Sequence, residues 1–168
     1  VGAVELLMVP ELRIADLHVI PDWKTGEIRI RAALINTAAP TGMTARFAVE
    51  LAAGGAPLAT TNLNMRVGPG GCNVEAILRV PGHRLWSLED PVLYRVTANI
   101  QAAGSQSMDE KSVRCGFRDF RFENGYFRLN GKRIFLKGTL YQVHFPITYE
   151  FPHDPELVRR DVSNLKKA

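Results

Sequence analysis

The sequence is poor in the residues that build reactive or metal-bound centres. Its 168 residues include two cysteines and four histidines. Cys72 and Cys115 make no structural zinc site, because such a site takes four ligands at close spacing. They stand as two free thiols, or as one bridge if the fold brings them together. His18, His83, His144 and His153 are far apart in the chain and read as independent surface or loop residues. There is no Gly-rich phosphate loop, no Gly-x-Ser-x-Gly and no His-Glu-x-x-His. No metal and no cofactor is therefore expected. No apolar run reaches the roughly 18 residues of a membrane helix, so no membrane span is expected. The net charge of +4 is spread among acids, and its densest knot, Lys132-Arg133 with Lys137, lies among strand-like residues. That is no basic stripe, and nucleic acid is not an expected partner. Val1 to Ile14 has no basic head and no cleavage pattern, and reads as the interior of a longer chain. Neither the charge nor the cysteines choose a compartment.

What the sequence has instead is alternation. "EIRIRAALIN" sets Ile28, Ile30, Ala32 and Leu34 against Glu27, Arg29 and Arg31, the period-two signature of a strand with one wet face. "MTARFAVELA" repeats it through Ala45, Phe47, Val49 and Leu51. "NVEAILRV" does so through Val74, Ala76, Leu78 and Val80. Tyr94, Val96, Ala98 and Ile100 mark another strand. "ELRIADLHVI" alternates only loosely, through Leu12 and Ile14, then Leu17 and Val19. "PLATTNLNMRV" and "QSMDEKSVRCGF" complete about seven strands, punctuated by turns such as Gly68-Pro69-Gly70-Gly71. Such spacing, without a long helical pattern, predicts a β-sandwich.

The pattern changes near residue 116. Two Asn-Gly pairs, Asn124-Gly125 and Asn130-Gly131, follow within a few residues of each other. Asn-Gly suits a type I′ hairpin, because both residues accept positive φ at low cost. Residues 119–136 thus read as a small ribbon carrying Phe120 and Phe122, Phe127 and Leu129, then Ile134 and Leu136. Further on, Asp154 as N-cap and Pro155 at the first helical position predict a helix. Val158, Val162 and Leu165 form its apolar stripe. The stripe runs to Ala168 without a Gly cap, as in a helix cut short.

"GFRDFRFENGYFRLNGKRIFLKG" and "DPELVRRDVSNLKKA" together resemble the junction in glycoside hydrolase family 2, which includes β-galactosidases, β-glucuronidases and β-mannosidases. The resemblance rests on Phe117-Arg118, Asn124-Gly125, Leu129-Asn130-Gly131-Lys132 and Lys137-Gly138. "LWSLEDPVLY", from Leu85 to Tyr94, is similar to a stretch inside the family's sandwich, and "VELLMVPELRIADLHVIPD" to the crossing from a preceding jelly roll. The resemblance implies an all-β chain: an immunoglobulin-like β-sandwich, a short β-ribbon, then the first strand and helix of a truncated (β/α)8 barrel. Residues 1–10 would be the end of a jelly-roll domain or linker, 11–116 the sandwich, and 117–168 the start of the barrel. "RIFLKG" would be barrel strand one. The sandwich would position the barrel and contribute to subunit contacts in a homo-oligomer.

Active sites of such barrels lie at the C-terminal ends of the strands. Thr139 to Pro146 would then line the rim of a sugar pocket, with Gln142, Tyr141 and His144 as the candidate substrate-binding residues. The family commonly carries Asn-x-His two to four residues after the Gly; here those places hold Leu140 and Gln142. A Gln amide hydrogen-bonds a sugar hydroxyl through either of its groups. A retaining glycosidase needs two carboxyl groups about 5–5.5 Å apart. The resemblance puts both on glutamates of later strands, the first directly after an Asn, and this sequence has no Asn-Glu pair. Catalytic residues are therefore expected to be absent, and Glu123, Glu150, Asp154 and Asp161 match no such pattern.

Two other readings stand beside this one. A stand-alone carbohydrate-binding sandwich would display exposed aromatics for sugar stacking, but Trp23 and Trp86 each stand alone and Trp86 reads as core. An immunoglobulin-like interaction module would have no reason to end in half a helix.

Overall fold

The computed structural model describes residues 6, 8–138 and 154–167. Seven strands form two sheets: β1 (Leu12–Pro21), β2 (Glu27–Asn36), β3 (Thr41–Leu51), β4 (Ala59–Val67), β5 (Cys72–Arg79), β6 (Tyr94–Ala102) and β7 (Met108–Cys115). One sheet has the order β1-β2-β5, the other β4-β3-β6-β7, and all neighbours are antiparallel. This is the strand layout of an immunoglobulin constant domain with the fourth strand transferred to the opposite sheet. The predicted β-sandwich is what forms.

Alternation decides which faces meet. Ile28, Ile30, Ala32 and Leu34 are all buried, and so are Ala45, Phe47 and Val49 across from them. Val96, Ala98 and Ile100 of β6 close the same core. Burial stabilises each of the larger side chains by roughly 1.5–3 kcal/mol. The loose pattern of β1 has a physical cause. Its register with β2 shifts between Ile14 and Asp16, a bulge that flips the phase from Leu12 and Ile14 to Leu17 and Val19. Ile14 N donates to Asp109 Oδ2 at 2.7 Å, and Lys111 Nζ donates to Ala15 O at 2.6 Å. These bonds tie the bulged edge of one sheet to β7 of the other.

The ribbon follows as β8 (Phe120–Glu123), β9 (Tyr126–Leu129) and β10 (Lys132–Ile134). Asn124 and Asn130 have φ of 51°, and Gly125 and Gly131 have φ of 81° and 80°, as type I′ turns require. Arg133 and Ile134 pair with Arg128 and Phe127 inside the ribbon, and Phe135–Gly138 has no strand structure.

Contacts divide the chain into a unit of residues 1–134 and a unit of residues 135–168. In the second unit, α1 (Pro155–Lys167) forms where the signals put it. Glu156 N donates to Asp154 Oδ1 at 2.9 Å, the expected cap. Val158, Val162 and Leu165 stay 42–49% exposed, so the apolar stripe is uncovered. No helix among the described residues is long and apolar enough to cross a membrane.

Candidate functional site

The seam between sandwich and ribbon concentrates the specific contacts of the first unit. It begins at Tyr94, the first residue of β6, which is buried. The Arg84 backbone N–H donates to the Tyr94 hydroxyl at 2.9 Å. A Tyr at the start of this strand that bonds backbone upstream is the corner seen in immunoglobulin-like sandwiches. It fixes the loop that carries Leu85 and Trp86. Asp90 holds the far side of that loop: its N–H donates to Ser87 Oγ at 3.0 Å, and its carboxylate takes Arg84 at 2.6 Å.

Phe117 is the anchor below. It is fully buried, with its ring 4.6 Å from the His83 ring and 5.1 Å from the Tyr94 ring. His83 Nε2 lies 2.8 Å from Trp23 O. His83 is therefore a packed structural residue rather than an independent loop histidine. The Leu85 and Phe117 backbones form a parallel bridge, and Trp86 N donates to Phe117 O at 2.8 Å. Trp86 itself, expected in the core, is half-buried, with the Arg118 guanidinium 5.2 Å over its ring. The cation over the indole face supplies the cover that a core neighbour would otherwise give.

Asn130 then joins ribbon to sandwich. Its Nδ2 donates to Trp86 O at 2.9 Å, its Oδ1 accepts the Asp119 N–H at 3.0 Å, and its own N–H donates to Asp119 O at 2.8 Å. One residue thus makes the second hairpin turn and clamps the ribbon onto the Trp86 loop. Sequence reasoning found Asn130 as a turn former only. Its bond to Trp86 spans 44 positions, and no local pattern signals it.

The ribbon is two-faced. Phe120 and Phe127 stack at 5.8 Å, and Phe122 meets Phe127 edge-on at 5.2 Å. The other face carries Arg121, Arg128 and Arg133 side by side. Arg121 pairs with Asp119 at 3.2 Å, Arg128 with Glu123 at 3.0 Å, and Arg133 lies 3.7 Å over Tyr126.

Glu123 is committed to arginines, Asp154 to its cap, and Asp161 lies 3.8 Å from Arg160. No group of three metal-binding side chains occurs among the described residues. Cys72 and Cys115 are free thiols, one in each sheet. Burial pushes the Cys115 thiol up to about 11, which keeps it protonated and inert at neutral pH. The expected sugar contacts Gln142, Tyr141 and His144, and the acid Glu150, lie outside the described residues.

Comparison with known proteins agrees with this geometry. The family model "Glycosyl hydrolases family 2" matches residues 12–118. A β-galactosidase of Yersinia pestis bv. Antiqua (strain Angola) is 26% identical over 98% of this chain. The chain spans 17% of that protein's length. Among solved structures, a Bacteroides uniformis β-glucuronidase superposes with a TM-score of 0.73 at 23% identity, over 94% of this chain and 20% of its own. A GH2 β-galacturonidase from Eisenbergiella tayi gives a TM-score of 0.74 at 21% identity, over 94% of this chain and 27% of its own.

Proposed function

Because this chain belongs to glycosyl hydrolases family 2, we propose that it is the non-catalytic sandwich and the barrel start of a glycosidase that cleaves β-glycosides. The parent would hydrolyse O-glycosidic bonds with retention, and the sandwich would hold the barrel in place. The observation that carries this reading is the pairing of extents. The family match covers the sandwich and ends at the seam, while the relatives it resembles are several times longer. The seam supports a mechanical role, since the Asn130 side chain and the Leu85–Phe117 bridge tie backbone of the ribbon end to backbone of the Trp86 loop. Residues 117–168 are proposed as the barrel's beginning. Gln142 is proposed to hydrogen-bond a sugar hydroxyl in the parent, with Tyr141 and His144 beside it. The parent's partners would be its carbohydrate substrate, its own jelly-roll and barrel domains, and further copies in a homo-oligomer.

The test is an assay of the purified 168-residue chain, prepared free of host glycosidase, on aryl β-galactoside, β-glucuronide and β-mannoside. No hydrolysis is expected, because retention requires a pair of carboxyl groups and this sequence has no Asn-Glu pair of the kind the family carries. Turnover that the Gln142→Ala variant loses would overturn the non-catalytic reading.

A further inference from the structure

The seam has a hollow that the positioning role does not use. Its volume is about 370 Å³, and its lining includes Trp86, Arg114, Cys115, Gly116 and Arg118. It contains two guanidinium groups and no carboxylate. Of the acids nearby, Asp90 is committed to Arg84 at 2.6 Å, Asp119 to Arg121 at 3.2 Å and Glu50 to Arg95 at 3.4 Å, while Glu110 lines a neighbouring hollow with Arg114. Among the described residues, no ion pair joins Arg114 or Arg118 to an acid.

A second, independent feature raises the same question. Arg114 stands directly opposite Arg95 in the β6–β7 register. Like charges facing each other across a strand pair destabilise a sheet. With Arg118 lining the same hollow, three arginines gather at one end of the sandwich, with the carboxylates of Glu50 and Glu110 beside Arg95 and Arg114. A bound anion would offset that repulsion. The indole of Trp86 already lies under Arg118 at 5.2 Å, which orders its planar fork. A guanidinium fork matches a carboxylate with two parallel N–H···O bonds.

We propose that the Trp86–Arg114–Arg118 hollow is a receptor for a carboxylate group, which bridges the two guanidiniums. The carboxylate comes from one of two sources. One is an Asp or Glu side chain in the remainder of the parent protein, a source that rests on the positioning role proposed above. The other is a free organic acid.

The 168-residue chain tests the receptor without the parent. Sodium acetate is titrated against sodium chloride at matched ionic strength, while NMR follows the Trp86 indole N–H and the Arg114 and Arg118 Nε–H signals. Acetate is expected to shift all three saturably, and chloride is not. Arg118→Gln should weaken acetate binding at least about tenfold, since each charge-assisted pair contributes that much. Arg118 also packs on Trp86, so Arg114→Gln is the cleaner variant: it changes an exposed strand position and should weaken binding by a similar factor. Equal responses to acetate and chloride would overturn the proposal, as would unchanged acetate affinity in Arg114→Gln. The same titration on the intact parent distinguishes the sources. A lost response means a side chain of the parent already fills the hollow; a retained response means the site takes a free acid. Failure of the positioning role would leave the acetate result on the isolated chain untouched.

Discussion

At the scale of single residues, Asn130 carries the most. Its side chain makes two hydrogen bonds at the seam, and its backbone sits at φ 51°. Asn130→Ala leaves the Asp119 N–H and the Trp86 carbonyl without partners, a loss of about 1–3 kcal/mol. It also places a non-Gly, non-Asn residue in the left-handed region, a further cost of about 1 kcal/mol. Asn130→Gly removes the hydrogen bonds but keeps the turn, so it should be less destabilising. Thermal denaturation of the two variants separates the contributions, and faster amide exchange at Asp119 would localise them. Equal stability of wild type and Asn130→Gly would show that the clamp is energetically silent. Cys115 makes a different prediction, about pH. Its folded thiol titrates near 11 through burial, against an ordinary value of 9.0. Between those values the unfolded chain has lost its proton while the folded chain keeps it. The folded state then binds more protons, so stability falls as pH rises. This contribution is complete below about pH 9 and is lost as pH rises through 11. Denaturant unfolding of wild type and Cys115→Ser across that window should show the wild type losing stability more steeply.

At the scale of elements, β1 shows both what the sequence makes legible and what it hides. Strands β2, β3, β5 and β6 are readable because each buries one face, which forces strict alternation. The helix is readable from Asp154 and Pro155, and the ribbon from two Asn-Gly pairs, because caps and turns are local chemistry. In β1 the alternation slips by one residue at Ala15, and that slip is visible in the sequence as a change of phase. What fixes the bulge is not visible. Asp109 and Lys111 lie about a hundred positions away and reach back to Ile14 and Ala15. The stack of His83 on Phe117 and the bond from Asn130 to Trp86 are hidden for the same reason: each is set by tertiary placement. The bulge tether is testable. Asp109→Ala leaves the partly buried Ile14 N–H without its acceptor, and should cost about 1–3 kcal/mol with the loss concentrated in β1. Amide exchange should speed up from Leu12 to Leu17 and stay slow in β3 and β6. A uniform change across all strands would mean that Asp109 supports the whole sandwich rather than its edge.

At the scale of the whole molecule, the question is which part of the chain folds by its own means. The buried apolar residues run from Leu12 to Leu129, and β3 and β6 each have hydrogen-bonded neighbours on both sides. The clamp at Asn130 closes within the same unit. By contrast, α1 has no buried residue, and a 13-residue helix is marginal in water without a surface to pack on. Folding stability should therefore reside in residues 1–134. A chain ending at Gly138 retains every strand found among the described residues, both Asn-Gly turns and the Trp86 loop. It is expected to unfold in one cooperative thermal transition, as small single domains do. It should keep the slow-exchanging amides of β3 and β6. That outcome would make the sandwich and ribbon a self-sufficient module, able to fold ahead of the barrel it is proposed to position. A truncated chain that aggregates, or melts without a transition, would mean that residues beyond Gly138 belong to the folding unit. The boundary of the module would then have to move into the segment that carries Gln142.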